Sequence, residues 1–359
     1  MTSPLSDLSG PTRLYLALYL VTLLLHLASA GFVLGGQLLV AASVLRRRRA
    51  GAPSGLGPAD FVRDWLPLAL GVAITLGVAP LLFIQILYSE EFYSANLLLS
   101  HRWMAIVPVL IVGFYALYLQ KSRWLATRPW SWQLGVSLGA AGCFAFTALS
   151  WTENHLLSLD RAAWAELYAS GAWIYHDERI LPRLALWICG ALAITAWLSA
   201  LGLHAVAGRR VAVEAASWRR LALLGLAALA CAAAAAGWLA LAGAADGPQW
   251  SDPALRPWLA VAAAGAVLQA IGWSAMLMGR SRRLALWLAG VGLAAALSGV
   301  LLLRELERLA RVDLTALSAQ HAQAMQRGGL WVFGLFLVVN GLAVGWVIRR
   351  AVLASRTAA

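Results

Sequence analysis

Apolar runs of about 20 residues recur from one end of this chain to the other, each long enough to cross a hydrocarbon core as a helix. Their repetition leaves no stretch in which a water-soluble core of ordinary size could form, so the expected fold is an all-α, polytopic membrane bundle in a single domain. Nine spans can be laid down, at about 14–44, 65–88, 103–120, 132–150, 182–204, 221–244, 257–279, 284–303 and 329–348.

Charge fixes the expected orientation. The connections alternate in composition, and one side collects 18 of the 28 basic residues but only three of the 16 acids, Asp60, Asp64 and Glu214. Basic residues accumulate on the cytoplasmic side, which puts the N-terminus outside and the C-terminus in the cytoplasm. The net charge of +12 therefore follows from topology, and no nucleic-acid partner is expected. The first run, Leu14 to Val44, is uncharged, far longer than a signal's apolar region and ends in Arg46 to Arg49, so it reads as a retained span and not a cleaved signal. A bacterial-type inner membrane is the expected location.

Two outer segments, 151–181 and 304–327, carry helical periodicity. In the first, Trp164, Leu167, Tyr168 and Gly171 share one face, as in an amphipathic helix lying in the interface. The second is expected either as a surface helix or as an extension of the eighth span. Cys143, Cys189 and Cys231 show none of the spacings of a thiolate metal site or of covalent c-type haem. No H-E-x-x-H, G-x-S-x-G or P-loop spelling is present, and the midplane residues His26, Gln269 and Asn340 include no carboxylate for proton-coupled transport.

The histidines carry the candidate chemistry. Tyr15, Tyr19, Thr22, His26 and Ser29 form a polar stripe along the first span, with His26 near its middle. Three roles stay open for His26: an interhelical hydrogen bond, an axial haem ligand, or a proton-path residue. His101, His155, His176 and His321 map to the outer surface, near Glu90, Glu91, Glu153, Asp177 and Glu178, and His101 and His176 flank the entrances of spans three and five. Gln85, Tyr88 and His101 lie at the depth where a quinone headgroup takes hydrogen bonds, and Pro80 breaks the helix ladder just below them.

The stretch from Arg13 to Gly36, "RLYLALYLVTLLLHLASAGFVLGG", resembles the first span of subunit I of the cytochrome bd quinol oxidases, and Gly71 to Tyr93 is similar to that family's glycine-rich second span. The resemblance implies b-type haem with His26 as the high-spin ligand and His176 matching the histidine at the outer end of span five. It also implies quinol as the electron donor. The family's "GRQPW" signature, its acids in span three, its methionine in span seven and its long quinol loop have no counterpart here. The expected function is thus a b-haem subunit that links membrane quinol to a periplasmic or membrane redox partner, rather than a terminal oxidase. A haem-free structural or assembly subunit is the alternative, and a secondary transporter the next.

Overall fold

The computed structural model describes residues 8–50, 56–172, 174–207, 213–243, 252–326 and 329–357. The basic residues Arg209 and Arg210, the end of the sixth expected span at Ala244, and Arg327 lie outside those residues. The described chain is all-helical, with a lone bridge between Leu56 and Val213 in place of any strand.

Thirteen helices follow one another: α1 (Gly10–Ala50), α2 (Pro58–Leu87), α3 (Ser89–Met104), α4 (Ile106–Lys121), α5 (Arg123–Ala126), α6 (Trp130–Leu159), α7 (Ala163–Ser170), α8 (Ile180–Ala207), α9 (Ala216–Ala242), α10 (Arg256–Leu277), α11 (Arg282–Leu309), α12 (Leu314–Gln326) and α13 (Gly329–Thr357). Seven helices among the described residues (α1, α2, α6, α8, α9, α10 and α11) are long and apolar enough to cross a membrane, or up to eight if α3 and α4, bent by 41° at their junction, count as one broken span. In α13 the apolar stretch is shorter, Gly334–Ala343.

Apolar side chains cover the outside of the bundle as well as its core. Leu25, Ile74, Val78, Val107, Ile111 and Val291 are each about half exposed or more, an arrangement suited to lipid rather than water. Inside, α1 packs against α2, α6 and α8, while α10 packs on α11 and α9. Glycine permits the closest of these approaches. A Cβ on Gly35 would stand 2.3 Å from the Ala191 carbonyl oxygen, and one on Gly292 would stand 2.6 Å from both the Gln269 amide and the Gly265 carbonyl. Because lipid tails are as apolar as leucine, such tight backbone contact is what holds helices together in a membrane.

The helices run beyond the expected spans at one end of the bundle, and that end carries the site. The stretch 89–102, expected as a gap, lies within helix α3, with Glu90 and Glu91 in its first turn. Helix α6 continues to Leu159 and buries Glu153, Asn154 and His155 in its last turns. The amphipathic helix expected over 151–181 is therefore divided: its start belongs to α6, and only α7 lies separately, with no buried residue and Gly171 in left-handed conformation at its end. Over 304–327 both expected forms occur, α11 extending to Leu309 and α12 following as a surface helix.

Replacing Gly292 with valine forces α10 and α11 apart. The expected outcome is a loss of about 1–3 kcal/mol, read as a lower unfolding temperature in detergent, with Gly139→Val, where a Cβ meets nothing within 4 Å, leaving the protein unchanged.

Candidate functional site: a buried ion network behind an open cleft

The end of α11 carries the sequence Arg304-Glu305-Leu306-Glu307-Arg308, and its charged side chains turn inward. Glu305 is 1% exposed and Arg308 2%. Buried charges persist only when paired, and here partners arrive from four other elements. Arg308 donates from Nη2 to Nδ1 of His155 on α6 at 2.6 Å. An arginine can only donate, so His155 accepts at Nδ1 and carries its proton on Nε2. Glu305 accepts from the Tyr88 hydroxyl at the end of α2, and the Arg308 guanidinium stands 4.8 Å from the centre of the Tyr88 ring. Glu307 receives Arg183 of α8 at 2.7 Å and Arg179 at 3.4 Å. Arg304 donates to the Tyr19 hydroxyl of α1 at 3.2 Å.

Further ion pairs fasten the rim. Arg102 meets Glu153 at 2.7 Å, and Arg161 meets Glu91 at 2.6 Å and Glu90 at 3.2 Å. Arg179 binds Asp177 through Nε, Nη2 and its backbone amide. Burial pushes the Asp177 carboxyl up, but those Arg179 hydrogen bonds outweigh it and hold the group below its usual value. The bonds from Asp177 in turn raise the Arg179 guanidinium, against the effect of burial.

In front of this network opens a cleft of 760 Å³ between the α3–α4 junction, α6 and the start of α8. Its polar lining is His101, Arg102, Glu153, Tyr175, His176 and Asp177, with the exposed His101 and His176 at its mouth, and Phe146, Leu149, Ile174 and Leu181 are among its apolar lining. Phe146, Leu149 and Glu153 recur on one face of α6, so the cleft reaches about 10 Å down from Glu153 along that helix. His101 is aimed by an unusual backbone. Ser100 adopts φ 47° and ψ −125° inside α3, a conformation that costs a non-glycine residue of the order of 1–3 kcal/mol.

The sequence-based candidates separate accordingly. His101 and His176 are brought to the same cleft. Tyr88 is not with them, because its hydroxyl is taken by Glu305, and Gln85 is part-buried on α2 away from the cleft lining. His155 and His321, expected at the outer surface, are each only 2% exposed: α6 turns His155 into the network, and α12 docks His321 between Thr12 and the Ile86 carbonyl. Glu305, Glu307, Arg308 and Arg183 were not singled out by sequence. The signal available was a cluster of both charge signs in the last turn of one span and the first turn of another.

His26 lies on the α1–α2 contact. Its Nδ1 bonds the Ala73 carbonyl at 2.9 Å, and a Cβ on Gly77 would come within 2.9 Å of the ring. A carbonyl only accepts, so Nδ1 carries the proton and the Nε2 lone pair is left for a second partner. Such a fixed imidazole fits the donor chemistry of one axial position on haem iron. His176 does not complement it, since it belongs to the cleft mouth. Among the described residues no group of three or more His, Cys, Asp or Glu side chains is placed to hold a metal ion.

Removing one buried partner leaves the other charge stranded, so Arg308→Met is expected to destabilise the protein by about 3–5 kcal/mol, visible as a large drop in unfolding temperature. His321 gives a pH signature. Burial lowers its basicity, opposed in part by the Ile86 carbonyl. Its contribution is therefore complete above the ordinary histidine value of 6.5 and is lost as pH falls toward its depressed folded value. The protection of α12 amides, taken as observed exchange relative to the base-catalysed intrinsic rate at each pH, should fall between pH 8 and pH 5.5 in the native chain, and this loss of protection should disappear in His321→Gln.

No protein-family model matches the chain, and no curated protein matches it.

Proposed function

We propose that this chain is the quinol-binding, b-haem membrane subunit of an electron-transfer complex, with the cleft at its outer face. The cleft itself carries the reading. It joins an apolar trough of roughly 10 Å to a mouth holding two exposed imidazoles, His101 and His176. That is the shape needed by an isoprenoid tail with a hydroxylated ring. A phospholipid suits it less well, because Arg102 and Arg179 are already bound to Glu153 and Asp177, which leaves these cations committed rather than offered to a phosphate.

A quinol becomes a quinone by losing two protons and two electrons. His101 and His176, accepting from the two ring hydroxyls, are suited to receive the protons on the side where the other titratable groups collect. Haem bound through His26 supplies a one-electron acceptor. What His26 does is set by this chain: Ala73 holds the ring by its Nδ1–H, and Gly77 gives it room. A redox partner, periplasmic or in the membrane, receives the electrons in turn. Gln85 and Tyr88 drop out of quinone contact in this reading, since Tyr88 serves the buried network.

The haem-free structural subunit is the second reading, and the Ala73 bond favours it equally, because it gives His26 a complete interhelical role. The two separate by spectrum. A reduced-minus-oxidised difference spectrum of the purified chain should show a b-type band that disappears in His26→Ala; haem-free protein, prepared under conditions that load other membrane cytochromes, would select the structural reading. His101→Ala and His176→Ala should each weaken binding of a short-tailed quinol by about tenfold, the loss of one hydrogen bond of roughly 1.4 kcal/mol, with the haem band unchanged.

The nine-span, N-outside topology belongs to the same proposal and rests on the segregation of basic residues at the end opposite the network. Reporter fusions after Thr127 and Ser281 should signal cytoplasm, and a fusion after Gln326 should signal the outer side. A cytoplasmic signal after Gln326 would overturn the span count.

A further inference from the structure

Tyr175 stands between two cavities. With Asp177 it lines the cleft, while Asp160 lines a separate polar cavity of 270 Å³ together with Glu91, Arg161 and Arg308. The Tyr175 hydroxyl lies 3.0 Å from Asp177 Oδ2 and 3.0 Å from Asp160 Oδ2. A phenol has one proton, so it donates to one of these carboxylates at a time and presents its oxygen lone pair to the other. Side-chain packing leaves Tyr175 only 5% exposed, which makes its hydroxyl a bridge between the two cavities rather than a solvent contact.

We infer that Asp177, Tyr175 and Asp160 form a proton relay that carries protons from the cleft to the second cavity. The inference rests on the quinol reading of the cleft and adds the exit route for its protons. A ligand that fills the cleft mouth displaces water from it, so protons leaving the ring need a path that does not pass back through the mouth.

The transfer balances within these three groups. Asp177, as carboxylate, accepts a proton that originates on the ligand. That proton passes to the Tyr175 oxygen while the Tyr175 proton passes to Asp160, so the phenol is regenerated and one proton has moved across it. Asp160 then releases the proton into the polar cavity. The Arg179 bonds keep Asp177 a weak base, so it passes protons on without retaining them. Burial, followed by the neighbouring carboxylates, raises Tyr175 well above the ordinary phenol value, and the hydroxyl therefore remains protonated between transfers.

Asp160 lines the second cavity, not the cleft, and this gives a test that does not depend on turnover. An infrared difference spectrum should be taken on oxidising a bound short-tailed quinol with ferricyanide in the purified full chain, in light and heavy water. Oxidation of the bound quinol is expected to produce a carboxyl band that shifts in heavy water, is lost in Asp160→Asn and is moved in Tyr175→Phe, with quinol affinity within about twofold of native in Asp160→Asn. In membranes holding the complete complex, Asp160→Asn should lower kcat by about tenfold and leave KM unchanged, whereas His101→Ala raises KM. Native affinity with a difference spectrum unaltered by both substitutions would overturn the relay and leave the cleft assignment standing. Failure of the native chain to bind quinol at all would overturn the cleft assignment, and the relay with it.

Discussion

A guanidinium buried without a partner costs several kcal/mol, and one end of this bundle is organised around that demand. Arg308 is the centre. It is fully enclosed, it bonds His155, stacks on Tyr88 and lies 3.7 Å from Glu305. Because those partners belong to α6, α2 and α11, the contacts of one arginine fix the relative positions of three helices. Glu307 adds α8 through Arg183, and Arg304 adds α1 through Tyr19. Deeper in the membrane, glycine contacts hold helices by shape; at this end, charge pairing does so by chemistry.

The cleft depends on that arrangement. One of its walls is α6, whose last turns are held by Arg308 at His155 and by Arg102 at Glu153. Another is the segment before α8, tied down where Arg179 joins Asp177 to Glu307. The third is the α3–α4 junction, where the Ser100 backbone sets the direction of His101. Ion pairing thus occupies the cations near the cleft and leaves two imidazoles as its exposed titratable groups at the mouth beside a partly exposed Asp177. A site with that composition selects neutral, hydrogen-bonding headgroups over anionic ones.

Much of the architecture was legible in the chain. Apolar length announced the helices. His101 and His176 were read as outer-face groups from their positions at span entrances, and the structure brings them to one cleft. Periodicity offered the extension of α11 but not that of α6, whose last turns beyond the apolar run are polar and look like a loop when read singly. The pairing of Arg304, Glu305, Glu307 and Arg308 with residues more than 100 positions away has no local signature. Tyr88 illustrates the same limit: its depth suited a quinone, but only the fold reveals that Glu305 already holds its hydroxyl. Of the polar stripe on α1, Tyr15 and Tyr19 are buried and meet other helices and His26 reaches across to α2, whereas Thr22 and Ser29 bond carbonyls of their own helix.

The central claim, that an amphiphilic quinol occupies the outer cleft, is tested most directly by photolabelling the purified chain with a quinone whose headgroup carries an azide, followed by mass-spectrometric mapping of the adducts. The account predicts adducts on peptides spanning 101–105 and 174–181, competed away by unlabelled quinol. Competable adducts confined to the α1–α2 contact around His26 and Gln85, with none in those two peptides, would contradict it.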